Sequence, residues 1–476
     1  MAIGVNVTTA VRTGPSNTSV PSGRFIIAGL AERGPVNTPT VVRSLAQFES
    51  RFGGRTPYNG APYDSARLFW EEGGGELVFV RVVGSAAAPA AVTTTPGALT
   101  VTAASPGAWG NDVEVYLATT QGGLAELVVT YGQTVERFTA SSYDALVRRV
   151  NGTSSLVRLS LGESDPEDAP EPFAETNLAG GDDDRGSVGV DAYIAGLNSV
   201  GGDLGTGAVA LPGLSADLVG ADLLAYAKRT RRIAFLAMSE GDSAEDARAF
   251  AREAEAMDGA EFGSLIFPHV RVPDGTAARV VSPEALAAAV RSRAHASGEF
   301  WTVPAGDNGL SNWVLETSPA VDTELNDSLA EDNVTAIVTT GNRIRPYGWW
   351  SLSSDSENFK LLTARDVLNV LATQIALDLE EFVFSTVDGR GQLLSKIEST
   401  IRGRLDPIAQ AGGFFADVDS EGNERDPGYS VRVDSTINTA SSLANNTVLG
   451  AVAVRLSPTA ALIEVEITKS SLTAAV

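Results

Sequence analysis

Cysteine is absent from this 476-residue sequence, and histidine occurs only at His269 and His295. The absence of cysteine excludes disulfide bonds and cysteine-based metal or redox sites. Two histidines without cysteine also argue against a protein zinc site, which usually takes four cysteine or histidine ligands. We therefore expect no metal and no cofactor.

Long apolar runs and a basic surface are missing as well. No stretch of about 20 apolar residues occurs, so we expect no membrane insertion. Residues 1–11 contain neither a basic segment nor an apolar core, so we expect no secretory signal. The formal net charge of −24 argues against a nucleic-acid-binding protein, which needs a basic face.

The acidic residues are distributed unevenly along the chain. Residues 86–340 carry 36 of the 59 Asp and Glu side chains, whereas both ends are close to neutral. Excess acid keeps an exposed region soluble. The same distribution also fits near-neutral ends that are buried in subunit contacts, with the middle of the chain facing solvent.

Enzyme signatures are also missing. The sequence contains no G-x-S-x-G, no H-E-x-x-H and no Walker A motif. The glycines at 201–207 precede a predicted strand, whereas phosphate-binding glycines open a helix. Neither histidine has an obvious serine partner, so we interpret both as structural and predict no catalytic residues. Paired carboxylates are too frequent in so acidic a chain to identify a glycosidase.

Apolar residues alternate with small or polar residues near both ends of the chain. The alternating positions are Ile3, Val5 and Val7 near the N-terminus and Ile463, Val465 and Ile467 near the C-terminus. Each series predicts a strand with one apolar face. Residues 13–19 are polar and rich in breakers, which is typical of a tether. A tethered strand can pair with a sheet edge of its own subunit or of a neighbour.

Between the ends, the pattern predicts several domains. Apolar strands alternate with helices on both sides of a central segment, which predicts a parallel sheet covered on both faces. The strands are expected at 24–30, 77–83, 207–211, 233–238, 264–270 and 334–339, and the helices at 44–52, 62–72, 216–230, 244–258 and 283–296.

The central segment, residues 86–186, differs in composition. Alternating runs at 112–118, 125–131 and 133–139 predict an all-β insertion. It ends in nine carboxylates without a base over residues 163–184. Their spacing lacks the ligand pattern of a calcium-binding EF-hand, so we interpret them as a solvated loop.

The last third predicts an α+β domain. A long helix is expected at 363–384 and a second at 392–405, each with an apolar stripe. Strands are expected at 429–434 and 448–456. The pair Trp349–Trp350 before this region fits either packing at a domain boundary or a sugar platform.

The order of short motifs resembles the tail sheath proteins of contractile-tailed bacteriophages and of related contractile injection systems. The resemblance covers nearly the whole chain. Its motifs are a Gly-Pro-x-Asn turn at 34–37, Phe-Gly at 52–53, Gly-Gly and V-F-V-R-V-V at 73–83, Trp-Gly-Asn-Asp at 109–112, Leu-Ala-Gly-Gly-Asp-Asp at 178–183 and Gly-Asn-Arg-Ile at 341–344.

The resemblance implies a multidomain fold of the α/β plus α+β class. It implies an N-terminal arm at 1–23 and a subtilisin-like α/β domain at 24–85 and 187–345. A β-sandwich-like insertion at 86–186 interrupts that domain. The α+β sheath core domain would span 346–476, with an extended C-terminal strand arm at 458–476.

The resemblance also implies a structural function. Subunits would form stacked hexameric rings around an inner tail tube, and contraction would drive the tube through a target cell envelope. Implied partners are other copies of the chain, the tail tube protein, and baseplate and tail terminator proteins. The location would be the virion tail, assembled in the host bacterial cytoplasm. The alternative is a subtilisin-fold hydrolase or glycan-active enzyme, because a subtilisin-like fold does not by itself decide activity.

Overall fold

The computed structural model describes residues 21–94, 99–463 and 465, which belong to two compact units. The larger unit comprises Ser22–Asp366. The second unit takes in Pro21 and the described residues from Val367 onward, and we call it the C-terminal unit. Residues 346–366, which the sequence assigns to the C-terminal domain, belong to the larger unit. Among the described residues, no helix is long and apolar enough to cross a membrane.

The larger unit begins with two buried parallel strands, one short antiparallel strand and two helices. These elements are β1 (Phe25–Gly29), β2 (Thr40–Val42), α1 (Leu45–Phe52), α2 (Gly60–Glu71) and β3 (Leu77–Arg81). The side chain of Ser44 caps α1 by accepting a hydrogen bond from the N–H of Gln47. Phe48 and Phe52 then pack edge-on against Phe79 of β3. These contacts fix α1 against one face of the sheet.

An insertion of two antiparallel sheets and one helix follows. Its elements are β4 (Ala91–Thr93), β5 (Leu99–Ala103), β6 (Glu114–Thr119), β7 (Ala125–Tyr131), β8 (Thr134–Ala140), α3 (Tyr143–Thr153), β9 (Val157–Leu161) and β10 (Phe173–Asn177). The sheets run β4–β5–β9 and β10–β6–β7–β8 and share one apolar core. The all-β prediction is wrong for α3, whose Tyr143, Leu146 and Val150 are buried at helical spacing behind the N-cap Ser142.

The chain then returns to the first sheet in α/β order. The elements are α4 (Val190–Asn198), β11 (Ala208–Ala210), α5 (Ala216–Thr230), β12 (Ile233–Leu236), α6 (Ala244–Ala254), β13 (Gly263–Phe267), β14 (His269–Asp274), β15 (Ala277–Val281), α7 (Glu284–Ala296), β16 (Glu316–Ser318), α8 (Thr323–Glu331), β17 (Val334–Thr340) and β18 (Arg343–Pro346). Of these strands, β14, β15 and β16 form a separate three-stranded antiparallel sheet. The predicted strands and helices of this part agree with the observed bounds to within a few residues.

The resulting eight-stranded sheet has the order β18–β17–β13–β12–β11–β1–β3–β2. Its six inner strands are parallel, and β2 and β18 are antiparallel strands at the two edges. Along β1, Ile26 and Ile27 enter two different apolar cores. Both faces of the sheet are therefore covered, as the continuous apolar strands predict.

A buried arginine ties the insertion to this sheet. Arg81 at the end of β3 donates to the carbonyls of Ala31 and Gly34, both at 3.0 Å, and to Asp183 Oδ1 at 2.9 Å. Asp183 also accepts from the N–H of Ala108 at 3.2 Å. Three separate sequence motifs, at 34–37, 73–83 and 178–183, thus meet at one ion pair, which we call the Arg81 anchor. Ala108, directly before the motif at 109–112, also contacts it.

The C-terminal unit is α+β. Its elements follow α9 (Leu362–Leu379), which crosses the unit boundary, and are α10 (Gln392–Gln410), β19 (Asp417–Val418), β20 (Glu424–Asp426), β21 (Tyr429–Arg432), α11 (Ala440–Ala444) and β22 (Ala451–Val454). The apolar stripe predicted for α10 is buried. The prediction that α9 continues to residue 384 is wrong, because a 3₁₀ turn replaces it at Glu380–Phe382.

Candidate assembly site

The predicted terminal strands fall partly within the described chain. Ile3, Val5, Val7 and Ile467 lie outside the described residues. Ile463 and Val465 are described, and their side chains are 78% and 75% exposed. Neither belongs to a strand in the isolated chain. Two apolar β-branched side chains near the end of the chain therefore lack cover within the described residues.

Among the described residues, a small sheet in the C-terminal unit has a free edge. In the described chain it consists of β21 and β22 alone, paired antiparallel with Tyr429 opposite Val454 and Arg432 opposite Ala451. Tyr429 and Val431 are buried, and α10 packs on β21. By contrast, most of β22 is exposed. An isolated two-stranded sheet is only marginally stable in water, so this edge is suited to accept further strands.

The hydrogen-bond register shows which groups of β22 point outward. Just beyond β22, the N–H of Arg455 donates to the carbonyl of Gly428 at 2.7 Å, toward β21. In an antiparallel pair, the backbone N–H and C=O groups of successive residues point alternately toward and away from the partner strand. Those of Ala453 therefore point toward β21, and those of Val452 point away from it. The outward N–H and C=O of Val452 are the groups that an added strand would bind.

Exposed apolar side chains are concentrated in the same unit. Sixteen large apolar side chains are exposed among the described residues, and eleven of them belong to the C-terminal unit. They are Leu377, Val383, Phe384, Val387, Phe415, Val418, Leu449, Val452, Leu462, Ile463 and Val465. Such a concentration is typical of a surface that is covered in an assembly.

Comparison with solved structures relates this architecture to known proteins. No family model matches the sequence, and no curated protein matches it. The sheath tail protein of Listeria innocua superposes with a TM-score of 0.63 at 14% identity, covering 87% of this chain and 89% of its own. That of Desulfitobacterium hafniense gives 0.58 at 17%, covering 90% and 94%. The fold is that of tail sheath proteins.

The match extends to an assembled sheath. The helical sheath of the anti-feeding prophage, in its contracted state, superposes with a TM-score of 0.57 at 14% identity. The match covers 98% of this chain and 100% of the sheath chain. The predicted resemblance is therefore confirmed at the level of fold. The sheath fold encompasses both units of this chain as well as the insertion.

A cavity beside His269 is the candidate for a ligand-binding or catalytic site in this fold. It has a volume of about 620 Å³ and is lined by residues that follow β11, β12 and β13. Parallel α/β sheets bind ligands at this end of their strands. Its arginines are already paired, because Arg55 and Arg279 both donate to Asp64, at 2.9 and 2.7 Å.

His269 itself lacks a paired nucleophile. Burial lowers the pKa of His269, so its imidazole is neutral at pH 7. None of the hydrogen bonds among the described residues joins it to a serine hydroxyl. The described residues also contain no cluster of three or more His, Asp or Glu side chains that is placed to hold a metal ion. The cavity therefore offers a weak base and internally neutralised charges.

The other histidine lies in a serine–histidine–aspartate array that sequence inspection missed. His295 Nδ1 is 2.8 Å from Ser22 Oγ, and Nε2 is 3.0 Å from Asp366 Oδ2. However, the His295 side chain is only 2% exposed, and Asp366 also binds Arg291 through both oxygens. A catalytic serine must reach substrate together with its base. This closed array therefore has a structural role.

A buried carboxyl group predicts how stability changes with pH. Burial raises the pKa of Glu284 from 4.5 to about 7, although Ser282 donates a hydrogen bond to it. The folded state thus keeps a proton that the unfolded chain loses above pH 4.5. The protonated carboxyl group therefore contributes fully to the free energy of unfolding below pH 4.5. This contribution decreases as the pH rises from 4.5 through 7.

We therefore expect Glu284→Gln to stabilise the protein at pH 8 and not at pH 4. The shift corresponds to roughly 3 kcal/mol in the free energy of unfolding. Urea denaturation at both pH values measures the difference. The matched control is Glu245→Gln, which changes an exposed carboxylate in the first turn of α6. An equal gain at pH 4 would contradict the assignment.

Proposed function

We propose that this chain is the structural subunit of a contractile tail sheath, in a phage tail or a related injection particle. The observation that carries the proposal is the sheath fold over nearly the full length of the chain, combined with the open sheet edge and the exposed Ile463 and Val465 among the described residues. Subunits assemble as hexameric rings that stack helically around an inner tail tube. Contraction drives the tube through the envelope of the target cell.

Strand exchange supplies the connections between subunits. The terminal arms, carrying Ile3, Val5 and Val7 at one end and Ile463, Val465 and Ile467 at the other, pair with the β21–β22 edge of neighbouring copies. Main-chain hydrogen bonds make such joints local and directional. A head-to-tail contact that does not close upon itself builds an open helix, as a stacked sheath requires.

The charge distribution supports a polarity for the subunit. Residues 86–340 carry most of the acid and face outward into solvent, whereas the less acidic C-terminal segment, residues 346–476, faces the tube. The sheath ends contact baseplate and tail terminator proteins, and assembly takes place in the host bacterial cytoplasm. Contraction is a switch between two packings of the same subunits, with free energy stored in the extended state.

The chain is not an enzyme in this proposal. The paired arginines beside His269 and the closed array around His295 both support that statement. Fold alone does not assign catalysis.

The proposal is tested by electron microscopy of the purified protein at high concentration, where tubes or large oligomers are expected. Deletion of residues 1–15 should leave a folded subunit that forms no tubes. Val5→Asp should have the same effect, because it places a charge on the predicted apolar face of the arm. The matched control is Asn6→Asp on the opposite face, which should assemble normally.

Two results would overturn parts of the proposal. Normal tubes from the deletion variant would exclude the N-terminal arm as a connector. A monodisperse monomer of the full chain, with a hydrolytic activity that His269→Ala abolishes, would favour the hydrolase.

A further inference from the structure

The chain passes between the two units at only two points of the division, Pro21–Ser22 and Asp366–Val367. Ser22 is thus the first residue of the larger unit, and Asp366 is its last. Although these residues are far apart in sequence, both bind the same helix, α7. The two places where the chain leaves the larger unit are therefore held by one element.

Arg291 of α7 contacts both exit points directly. Its Nε and Nη2 donate to the two carboxylate oxygens of Asp366, each at 2.7 Å. Its Nη1 donates to the main-chain carbonyl of Ser22, also at 2.7 Å. A planar guanidinium suits this task, because it presents several donors in fixed directions.

His295 makes the second connection, one helical turn further along α7. Residues i and i+4 of a helix share a face, so His295 meets the same two residues as Arg291. It lies between the Ser22 hydroxyl and Asp366 Oδ2, at 2.8 and 3.0 Å. Because ionised Asp366 only accepts hydrogen bonds, Nε2 donates to it and neutral His295 accepts at Nδ1 from Ser22.

The contacts leave little room for independent movement. Arg291, His295 and Asp366 have buried side chains, and Phe300 packs near the imidazole ring. Next to Ser22, a Cβ atom on Gly23 would lie 3.2 Å from the carbonyl oxygen of Ser292 and 3.3 Å from His295 Cβ. The chain after Ser22 therefore lies directly against α7.

We propose that Ser22, Arg291, His295 and Asp366 form a conformational clamp that couples the two exits of the larger unit. We call these four residues the exit clamp. No hydrogen bond among the described residues joins Asp366 directly to Ser22, so the coupling passes through Arg291 and His295. Loss of the Asp366 charge weakens the hold of Arg291 and His295 on Ser22. A role for the clamp in contraction rests on the proposed function, whereas the clamp itself does not.

Hydrogen exchange on the full chain under non-assembling conditions tests the coupling. Local opening raises exchange in the segment that opens. In Asp366→Asn we expect amides at 22–25 to exchange at least tenfold faster, together with those at 363–370. The matched control is Asp183→Asn, which removes the charge from the buried Arg81 anchor. It should accelerate exchange at 31–34 and 107–110 and leave 22–25 unchanged.

Two outcomes would overturn the clamp: unchanged exchange at 22–25 in Asp366→Asn, or equal acceleration there in Asp183→Asn. If Asp366→Asn does not fold, Ser22→Ala provides the second test, because it removes only the hydroxyl contact. Faster exchange at 363–370 in Ser22→Ala supports coupling, and unchanged exchange refutes it. If hydrogen exchange supports the coupling but sheaths of Asp366→Asn contract normally, the role in contraction is refuted and the clamp itself is not.

Discussion

Val452→Pro is expected to abolish tube formation while the subunit remains folded. Proline removes the N–H that Val452 directs away from β21, which an incoming arm needs as a donor. Edge strands tolerate proline where the missing N–H faces solvent, so the β21–β22 ladder should persist. Sedimentation and negative-stain microscopy measure assembly, and circular dichroism measures folding.

Two neighbouring substitutions separate backbone from side-chain effects. Val452→Thr keeps the N–H and the branched shape, and we expect it to form normal tubes. Ala453→Pro removes a donor directed at β21, so we expect it to destabilise the C-terminal unit itself. Normal tubes from Val452→Pro would exclude this edge as the acceptor of an arm.

Asp183→Ala is expected to lower the free energy of unfolding of the larger unit by about 3–5 kcal/mol. The substitution leaves Arg81 as a buried cation without its counter-charge. Burial already lowers the pKa of Arg81, which means that desolvation disfavours its charged form even when Asp183 is present. Denaturant titration followed by tryptophan fluorescence should show the loss, because Trp109 is buried next to this anchor.

Asp182→Ala is the matched control for this experiment. Asp182 is the preceding residue and is exposed, with its side chain accepting from the N–H of Asp184. A surface substitution of this kind usually changes stability by less than about 0.5 kcal/mol. Equal losses for the two variants would show that the segment, and not the buried ion pair, determines the effect.

Local signals explain the parts of the fold that the sequence predicts well. Helix α5 occurs at Ala216–Thr230, the predicted range. Its C-terminal end is marked by Lys228 and Arg229 in the last turn and by Arg231 in a left-handed conformation. Helix α9 is overextended in the prediction because its apolar stripe continues through Phe382, beyond the point where helical hydrogen bonding ends. Helix α3 is missed because the composition around it favours strands, although Ser142 and the spacing of Leu146 and Val150 carried the signal.

The functional features depend on contacts between distant residues, which spacing does not reveal. The edge of β22 is open because, among the described residues, β21 is the one strand that pairs with β22. The Arg81 anchor joins residues 102 positions apart. In the exit clamp, Ser22 and His295 are 273 positions apart. The sequence shows the alternation at Ile463 and Val465, whereas the edge of β22, which we propose as its acceptor, is seen only in the structure.

The Arg81 anchor has a consequence for how the chain could be altered or extended. At its base, the N–H of Gly84 donates to the carbonyl of Asp183 at 3.0 Å, and Ala88 pairs with Asp182. The insertion therefore starts and ends at adjacent positions, so the larger unit needs only a short turn there to close its chain. Because the two ends of the insertion are adjacent, another domain could replace it without moving the strands on either side. A particle built from many copies would then display that domain once per subunit.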